Sequence, residues 1–274
     1  MNKKSLNILF IGNSYSECTC AYVYDFLSAM GITSHNIAAL KLSGCTINMH
    51  WNNAQADAPE YLFFHYTTSG DRTDVQSVKL SEGIPTDQWD WVVFSDGAGG
   101  PAYPANFANF QSLLDYVKPL TTPGRTKFAF NVTWPWEEGS PKFDGGKFEN
   151  RAEVMFQSIC STVQSIVQTN PDISCILPTG TAVYNAVRSG RAPALYRDGG
   201  HLNANGCFLA SLAALYALLS HTEGYEQYNI ARYGIPCLPT HTHRTNGSFK
   251  GELEAEYADV YLEAVTSALA NPFE

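Results

Sequence analysis

Residues 6–11 form a short apolar run, Leu6-Asn7-Ile8-Leu9-Phe10-Ile11, that passes directly into Gly12-Asn13-Ser14. Such a run reads as a strand covered on both faces, and a strand of that kind needs helices above and below its sheet. The pattern then repeats along the chain. Strands are expected at 36–42, 91–95, 127–133 and 173–177, with helices at 20–30, 107–120, 148–169, 181–189, 203–220 and 252–270. A helical stretch over 47–64 is expected to break at Pro59, because proline lacks the N–H that a helix interior requires. Segments 63–68 and 74–80, separated by Ser69-Gly70-Asp71, read as a hairpin. Strands spaced by helices imply βαβ units. The expected fold is therefore α/β: a three-layer α/β/α sandwich around a doubly wound five-stranded parallel sheet, with a small hairpin insertion near 63–80. One domain is expected over 1–274, its core at about 6–220, with an excursion at 224–247 and a helix at 252–270 packed on it.

Composition narrows the function classes. The chain has 274 residues, is 45% hydrophobic and carries a formal net charge of −9. Phosphate backbones demand a Lys/Arg excess, so no nucleic-acid partner is expected. No apolar segment approaches the roughly 20 residues that span a bilayer, and no membrane partner is expected. Lys3 and Lys4 precede an apolar run too short for a secretory leader. A cytoplasmic location is expected from the sequence as given, or a secreted or periplasmic one if a leader has been removed. Seven cysteines make an odd set without disulfide-scaffold density, read as free or structural thiols.

Ser14 falls where an apolar strand turns toward a helix. In open parallel sheets, ligands collect at the carboxyl ends of the strands. Gly12 suits a tight turn there, and the N–H groups beyond it face the cleft. Ser14 or Ser16 would equally serve as a helix cap, so the segment alone leaves both readings open.

Far downstream, Asp198-Gly199-Gly200-His201 opens a strongly apolar helical run. Spacing of three in a turn lets the carboxylate accept the imidazole Nδ1 proton and leaves Nε2 facing outward. A hydroxyl, an imidazole and a carboxylate are the groups that serine acyl transfer requires. Asp198 would also suit a helix cap; the serine in the right kind of turn favours chemistry.

These two blocks, Gly12-Asn13-Ser14-Tyr15-Ser16 and Asp198-Gly199-Gly200-His201-Leu202, resemble the SGNH (GDSL-type) hydrolase superfamily in form and order. The resemblance implies a flavodoxin-like sheet, a Ser14–His201–Asp198 triad and no cofactor. Ser43-Gly44-Cys45 is similar to the second block, so Ser14 and Gly44 are assigned oxyanion N–H groups by resemblance. The family's third block, Gly-x-Asn-Asp, supplies an Asn donor. Here the equivalent stretch reads Ser95-Asp96-Gly97-Ala98-Gly99-Gly100, with no Asn. An ionised Asp96 cannot donate to an oxyanion. It therefore points away, binds a substrate hydroxyl, or marks weakened activity, and the N–H of Gly97 or Ala98 is the candidate replacement donor. The resemblance spans about residues 6–220 and looks closest to carbohydrate-esterase-like members.

Asn13, Asp96, Trp134 and Trp136 are the candidate substrate-binding residues. The indoles suit the apolar face of a sugar ring, and Tyr103 is a further rim candidate. Buried packing is the competing reading for both tryptophans. His241 and His243 share a face of an extended segment, but no acidic or thiol partner stands near in sequence, so no metal site is expected. His50 and His65 have no readable partner. The triad residues point to a serine esterase, and the resemblance, together with the two tryptophans, implies a small acyl ester as substrate, an O-acetyl on a carbohydrate. The alternatives are a lipase- or thioesterase-like hydrolase of the same fold, or a catalytically weakened glycan-binding relative. Oligomeric state is not legible.

Overall fold

The computed structural model of the chain describes residues 5–66, 71–97, 99–237 and 255–274. Its seven strands are β1 Ser5–Gly12, β2 Ser34–Lys41, β3 Tyr61–Tyr66, β4 Arg72–Val78, β5 Trp91–Phe94, β6 Lys127–Asn131 and β7 Ile173–Leu177. They form one sheet in the order β4-β3-β2-β1-β5-β6-β7. The five strands β2-β1-β5-β6-β7 are parallel, as expected, while β3 and β4 are antiparallel.

The hairpin exists, but it is not a separate insertion. β3 pairs with the free edge of β2 and widens the sheet to seven strands. Tyr61, Phe64 and Tyr66 are buried there, so the apolar face of the hairpin is satisfied only by joining the sheet. The Arg72 guanidinium stacks 3.8 Å from the Phe64 ring and pairs with buried Glu17, which also holds Lys41.

Among the described residues, ten α-helices cover the sheet: α1 Ser14–Cys20, α2 Val23–Ala29, α3 Ile47–Ala56, α4 Leu80–Gly83, α5 Phe110–Val117, α6 Ala152–Thr162, α7 Thr179–Arg188, α8 Ala204–Ser220, α9 Ile230–Tyr233 and α10 Ala258–Ala270. Alternate β1 side chains enter opposite cores. Leu6, Ile8 and Phe10 pack with α1, α2, α7, α8 and α10, whereas Leu9 and Ile11 pack with α3, α5 and α6. That is the physical content of a strand buried on both faces.

Several boundaries differ from expectation. The helix expected over 47–64 stops at Ala56, where Asp57 turns left-handed, and 61–64 is strand. An apolar run such as Tyr61-Leu62-Phe63-Phe64 fits either period, so the sheet edge decides. The helix expected at 20–30 is two helices, one of them starting at Ser14. The helix expected from 148 begins at Ala152, after Phe148, Glu149 and Asn150 adopt left-handed φ values of 52°, 56° and 56°. The described part of the 224–247 excursion packs down: Tyr225 donates to Ser5 O at 2.7 Å and Tyr216 to Gly234 O at 2.8 Å.

The topology creates one crevice. β1 lies between β2 and β5, so the chain leaves β1 in one direction and returns on its other side. Such a switch point is where open α/β sheets place ligands, at the carboxyl ends of the strands. Ser14 follows β1, Gly44 follows β2, Asp96 and Gly97 follow β5, and Trp134 and Trp136 follow β6.

Candidate active site

The turn at Ser14 depends on two neighbours. A Cβ on Gly12 would lie 2.0 Å from Ser16 Oγ and 2.9 Å from Ser95 Cβ, so only glycine fits. Asn13 caps α1: its Oδ1 accepts from Tyr15 N at 2.8 Å, and its Nδ2 donates to Cys45 O at 3.0 Å. Both ends of the carboxamide are thereby used, and Asn13 is fully buried. Asn13 consequently does not bind substrate; it fastens the Ser14 turn to the Gly44 loop.

The Asp198–His201 turn folds on its own carboxylate. Asp198 Oδ1 accepts from Gly200 N at 3.0 Å and His201 N at 2.8 Å, while Oδ2 accepts from His201 Nδ1 at 2.7 Å. Partial burial of Asp198 works to raise its pKa. The His201 and Gly200 hydrogen bonds outweigh that and hold it down to about 2. Gly199 is required by its backbone: it sits at φ +74°, and a Cβ there would lie 2.4 Å from Ser140 Oγ, whereas a Cβ on Gly200 would meet only the flexible end of Lys142, Cε at 2.6 Å.

Across the crevice, Ser14 Oγ lies 2.8 Å from His201 Nε2. An ionised Asp198 can only accept, so Nδ1 carries the proton and Nε2 accepts from the Ser14 hydroxyl. Residues 187 positions apart thus form one hydroxyl–imidazole–carboxylate relay. His201 and Asp198 retain 28% and 44% of their side-chain exposure, which keeps the relay open to a ligand.

Asp96 is fully buried and faces away from the crevice. Its Oδ1 accepts from Gly97 N at 2.6 Å and from Ile47 N, at the start of α3, at 3.2 Å. Oδ2 has no partner. Burial pushes the Asp96 carboxyl up to about 7, against the opposing pull of the two N–H donors. Of the readings open from sequence, it points away; contact with a substrate hydroxyl is excluded by burial. Gly97 is also displaced from its expected role, because its N–H is already given to Asp96. Ala98 lies outside the described residues, as do His241 and His243.

Beside Gly44, which has φ +68°, opens a cavity of about 340 Å³ lined by Thr46, Gly97, Tyr103, Asn106, Trp136 and Lys147 among others. Trp136 therefore borders the crevice, as its position after β6 implied. Trp134 does not: it is fully buried, its ring stacked 4.5 Å from Tyr15. Thr46, Asn106 and Lys147 carried no motif, and only the folded loops bring them to this wall. Phe148, in its left-handed turn, braces Trp136 and Tyr103 at centroid distances of 6.0 and 5.5 Å. Another cavity, of about 400 Å³, lies at the opposite end of α8 near Tyr216, Tyr225 and Tyr228 and contains none of these residues. His50 is a buried core residue bonded to Tyr61, and His65 is paired with Thr73 at the sheet edge. Among the described residues, no group of three or more His, Cys, Asp or Glu side chains could hold a metal ion.

Residues 7–232 match the family model described as "Domain of unknown function (DUF4886)". The chain belongs to this family. No curated protein matches it. A DUF4886 family protein from Bacteroides uniformis is 22% identical; the alignment covers 99% of this chain and 97% of that one, with a TM-score of 0.84. An acetylxylan esterase from Geobacillus stearothermophilus is 19% identical over 81% of this chain and 96% of its own, with a TM-score of 0.50. At such identities the likeness is one of fold. This DUF4886 chain shares with that esterase a central, mostly parallel sheet flanked by helices.

Proposed function

We propose that this DUF4886 chain is a serine esterase that hydrolyses a small acyl ester, an O-acetyl group on a carbohydrate. The observation that carries the reading is the relay itself: Ser14 Oγ at 2.8 Å from His201 Nε2, and His201 Nδ1 at 2.7 Å from Asp198 Oδ2. In this scheme His201 Nε2 takes the hydroxyl proton as Ser14 Oγ attacks the ester carbonyl carbon. Asp198 holds the tautomer and stabilises the imidazolium. The N–H groups of Ser14 and Gly44 receive the oxyanion. His201 then gives its proton to the departing alcohol, leaving an acyl-Ser14. Water attacks that ester, losing a proton to His201, which returns it to Ser14 Oγ as the carboxylic acid leaves.

The substrate class rests on the wall beside Gly44. Trp136 and Tyr103 offer ring surface, and Thr46, Asn106 and Lys147 offer polar groups. Aromatic faces with a few polar groups suit a sugar better than a long alkyl chain. The structural likeness to an acetylxylan esterase agrees with that choice. With Gly97 N–H committed to Asp96, the oxyanion has two backbone donors in this reading. One fewer donor typically costs about 10²–10³ in rate, so a slow esterase is expected.

Labelling with a fluorophosphonate probe and hydrolysis of p-nitrophenyl acetate test the reading, with Ser14→Ala as reference. Labelling at Ser14 and acetate turnover above the Ser14→Ala background support it. An unlabelled wild type with background turnover sinks it and leaves the glycan-binding alternative. A series from acetate to octanoate separates the short-acyl reading from a lipase- or thioesterase-like one, for which octanoate would be preferred.

A further inference from the structure

Gly199 and Gly200 bring no side chains to the turn that carries His201. Its stiffness must come from hydrogen bonds. Two of them arrive from deeply buried aromatic side chains on other elements. Tyr15 Oη donates to Gly200 O at 3.0 Å, and Trp134 Nε1 donates to the same oxygen at 2.9 Å. A carbonyl oxygen has two lone pairs, and here both are filled. The two donors also brace each other: their rings stack at 4.5 Å with 11° between planes, and neither is exposed.

The other end of the same peptide unit is fixed as well. Gly200 contributes the carbonyl and His201 the N–H, which donates to Asp198 Oδ1 at 2.8 Å. A peptide unit is planar, so holding its C=O and its N–H sets the direction in which the His201 side chain leaves the backbone. Tyr15 adds a second link. It follows Ser14 directly in the chain, and its ring lies 5.7 Å from the imidazole. The nucleophile's own helix therefore supplies one of the donors that orient its base.

We propose that Tyr15 and Trp134 form a positioning clamp on the Gly200 carbonyl that holds His201 in register with Ser14. This inference rests on the serine esterase reading, and neither residue touches the reacting atoms. Its signature is redundancy. In Tyr15→Phe or Trp134→Phe the carbonyl keeps one donor; in the double variant it keeps none.

The experiment compares Tyr15→Phe, Trp134→Phe and the double variant on p-nitrophenyl acetate, each at the same interval below its own melting temperature. Each single variant should lose ~2–5-fold in kcat, and the double ~10²-fold, more than the product of the singles, with KM held within ~2-fold. Phe208→Leu, in the same core but away from the turn, is the control for lost packing: it should lower the melting temperature while leaving kcat unchanged. Hydrogen exchange of residues 197–203 gives a readout that does not depend on turnover and should quicken in the double variant. Unchanged exchange there overturns the clamp. So does quickened exchange with undiminished kcat in an active enzyme, or a double variant that equals the product of the singles. If the wild type shows no Ser14-dependent turnover, the esterase reading falls, and the exchange result alone decides whether the clamp holds the turn.

Discussion

Asn13 Nδ2 donates to the Cys45 carbonyl at 3.0 Å, tying the turn that carries Ser14 to the loop that carries Gly44. The same loop is held from its other side by Asp96, through Ile47 N at the start of α3. Two buried side chains from two strand ends thus set where an oxyanion would sit relative to Ser14. Asn13→Ala removes a cap and leaves the Cys45 carbonyl without its donor. The expected cost is about 1–2 kcal/mol of stability and ~10-fold in kcat, read by chemical denaturation and acetate turnover.

Asp198→Asn keeps the shape of the turn but replaces an acceptor with an amide that no longer fixes the imidazole tautomer. Acetate turnover should drop by ~10²–10⁴-fold. Far-ultraviolet circular dichroism should show the wild-type fold. A loss of less than ~5-fold would remove Asp198 from the relay.

Asp96 makes stability depend on pH in a definite direction. Its folded pKa, about 7, lies above the ordinary carboxylate value, so the folded chain holds a proton that the unfolded chain releases. Stability therefore falls as pH rises from about 4 to about 7, and this contribution is flat above that window. Asp96→Asn keeps an oxygen for Gly97 N and Ile47 N but carries no charge. Its stability relative to wild type should climb across that window by ~2–4 kcal/mol and then level off. Urea unfolding at a series of pH values reads the effect.

Trp136 borders the cavity beside Gly44, whereas p-nitrophenyl acetate is too small to need that wall. Trp136→Ala should lower kcat/KM on an acetylated oligosaccharide by ~10-fold or more, about what a lost aromatic contact in a binding pocket costs. Turnover of p-nitrophenyl acetate should change by less than ~3-fold. Equal losses on both substrates would place Trp136 in the fold rather than in recognition.

Gly12 has no room for a side chain between Ser16 Oγ and Ser95 Cβ. Gly12→Ala should destabilise by about 3 kcal/mol, as overpacking of a close contact does, and displace the Ser14 turn. Thermal melting and fluorophosphonate labelling of Ser14 should both fall.

Much of this arrangement is legible in order along the chain. Apolar runs at 6–11 and 91–95 are strands because burial on both faces leaves no room for alternation. Ser14, Asp198 and His201 stand out because a strand end, a glycine pair and a spacing of three are local features. Tyr61-Leu62-Phe63-Phe64 was ambiguous because a short apolar run serves helix and strand alike, and only the free edge of β2 selects strand. Trp134 and Trp136 show the same limit within three residues. Both follow β6, yet one is sealed behind Tyr15 and the other lines the cavity.

Local chemistry alone thus set the α/β alternation, the nucleophile turn and the carboxylate–imidazole spacing, because each depends on neighbours a few residues apart. Folding decided the rest. The 2.8 Å contact between Ser14 and His201, the burial of Asp96 and the double donation to Gly200 join segments 66 to 187 residues apart or seal them from water. Distances across a sheet and exclusion of solvent are properties of packed layers. No stretch of chain carries them until the layers close.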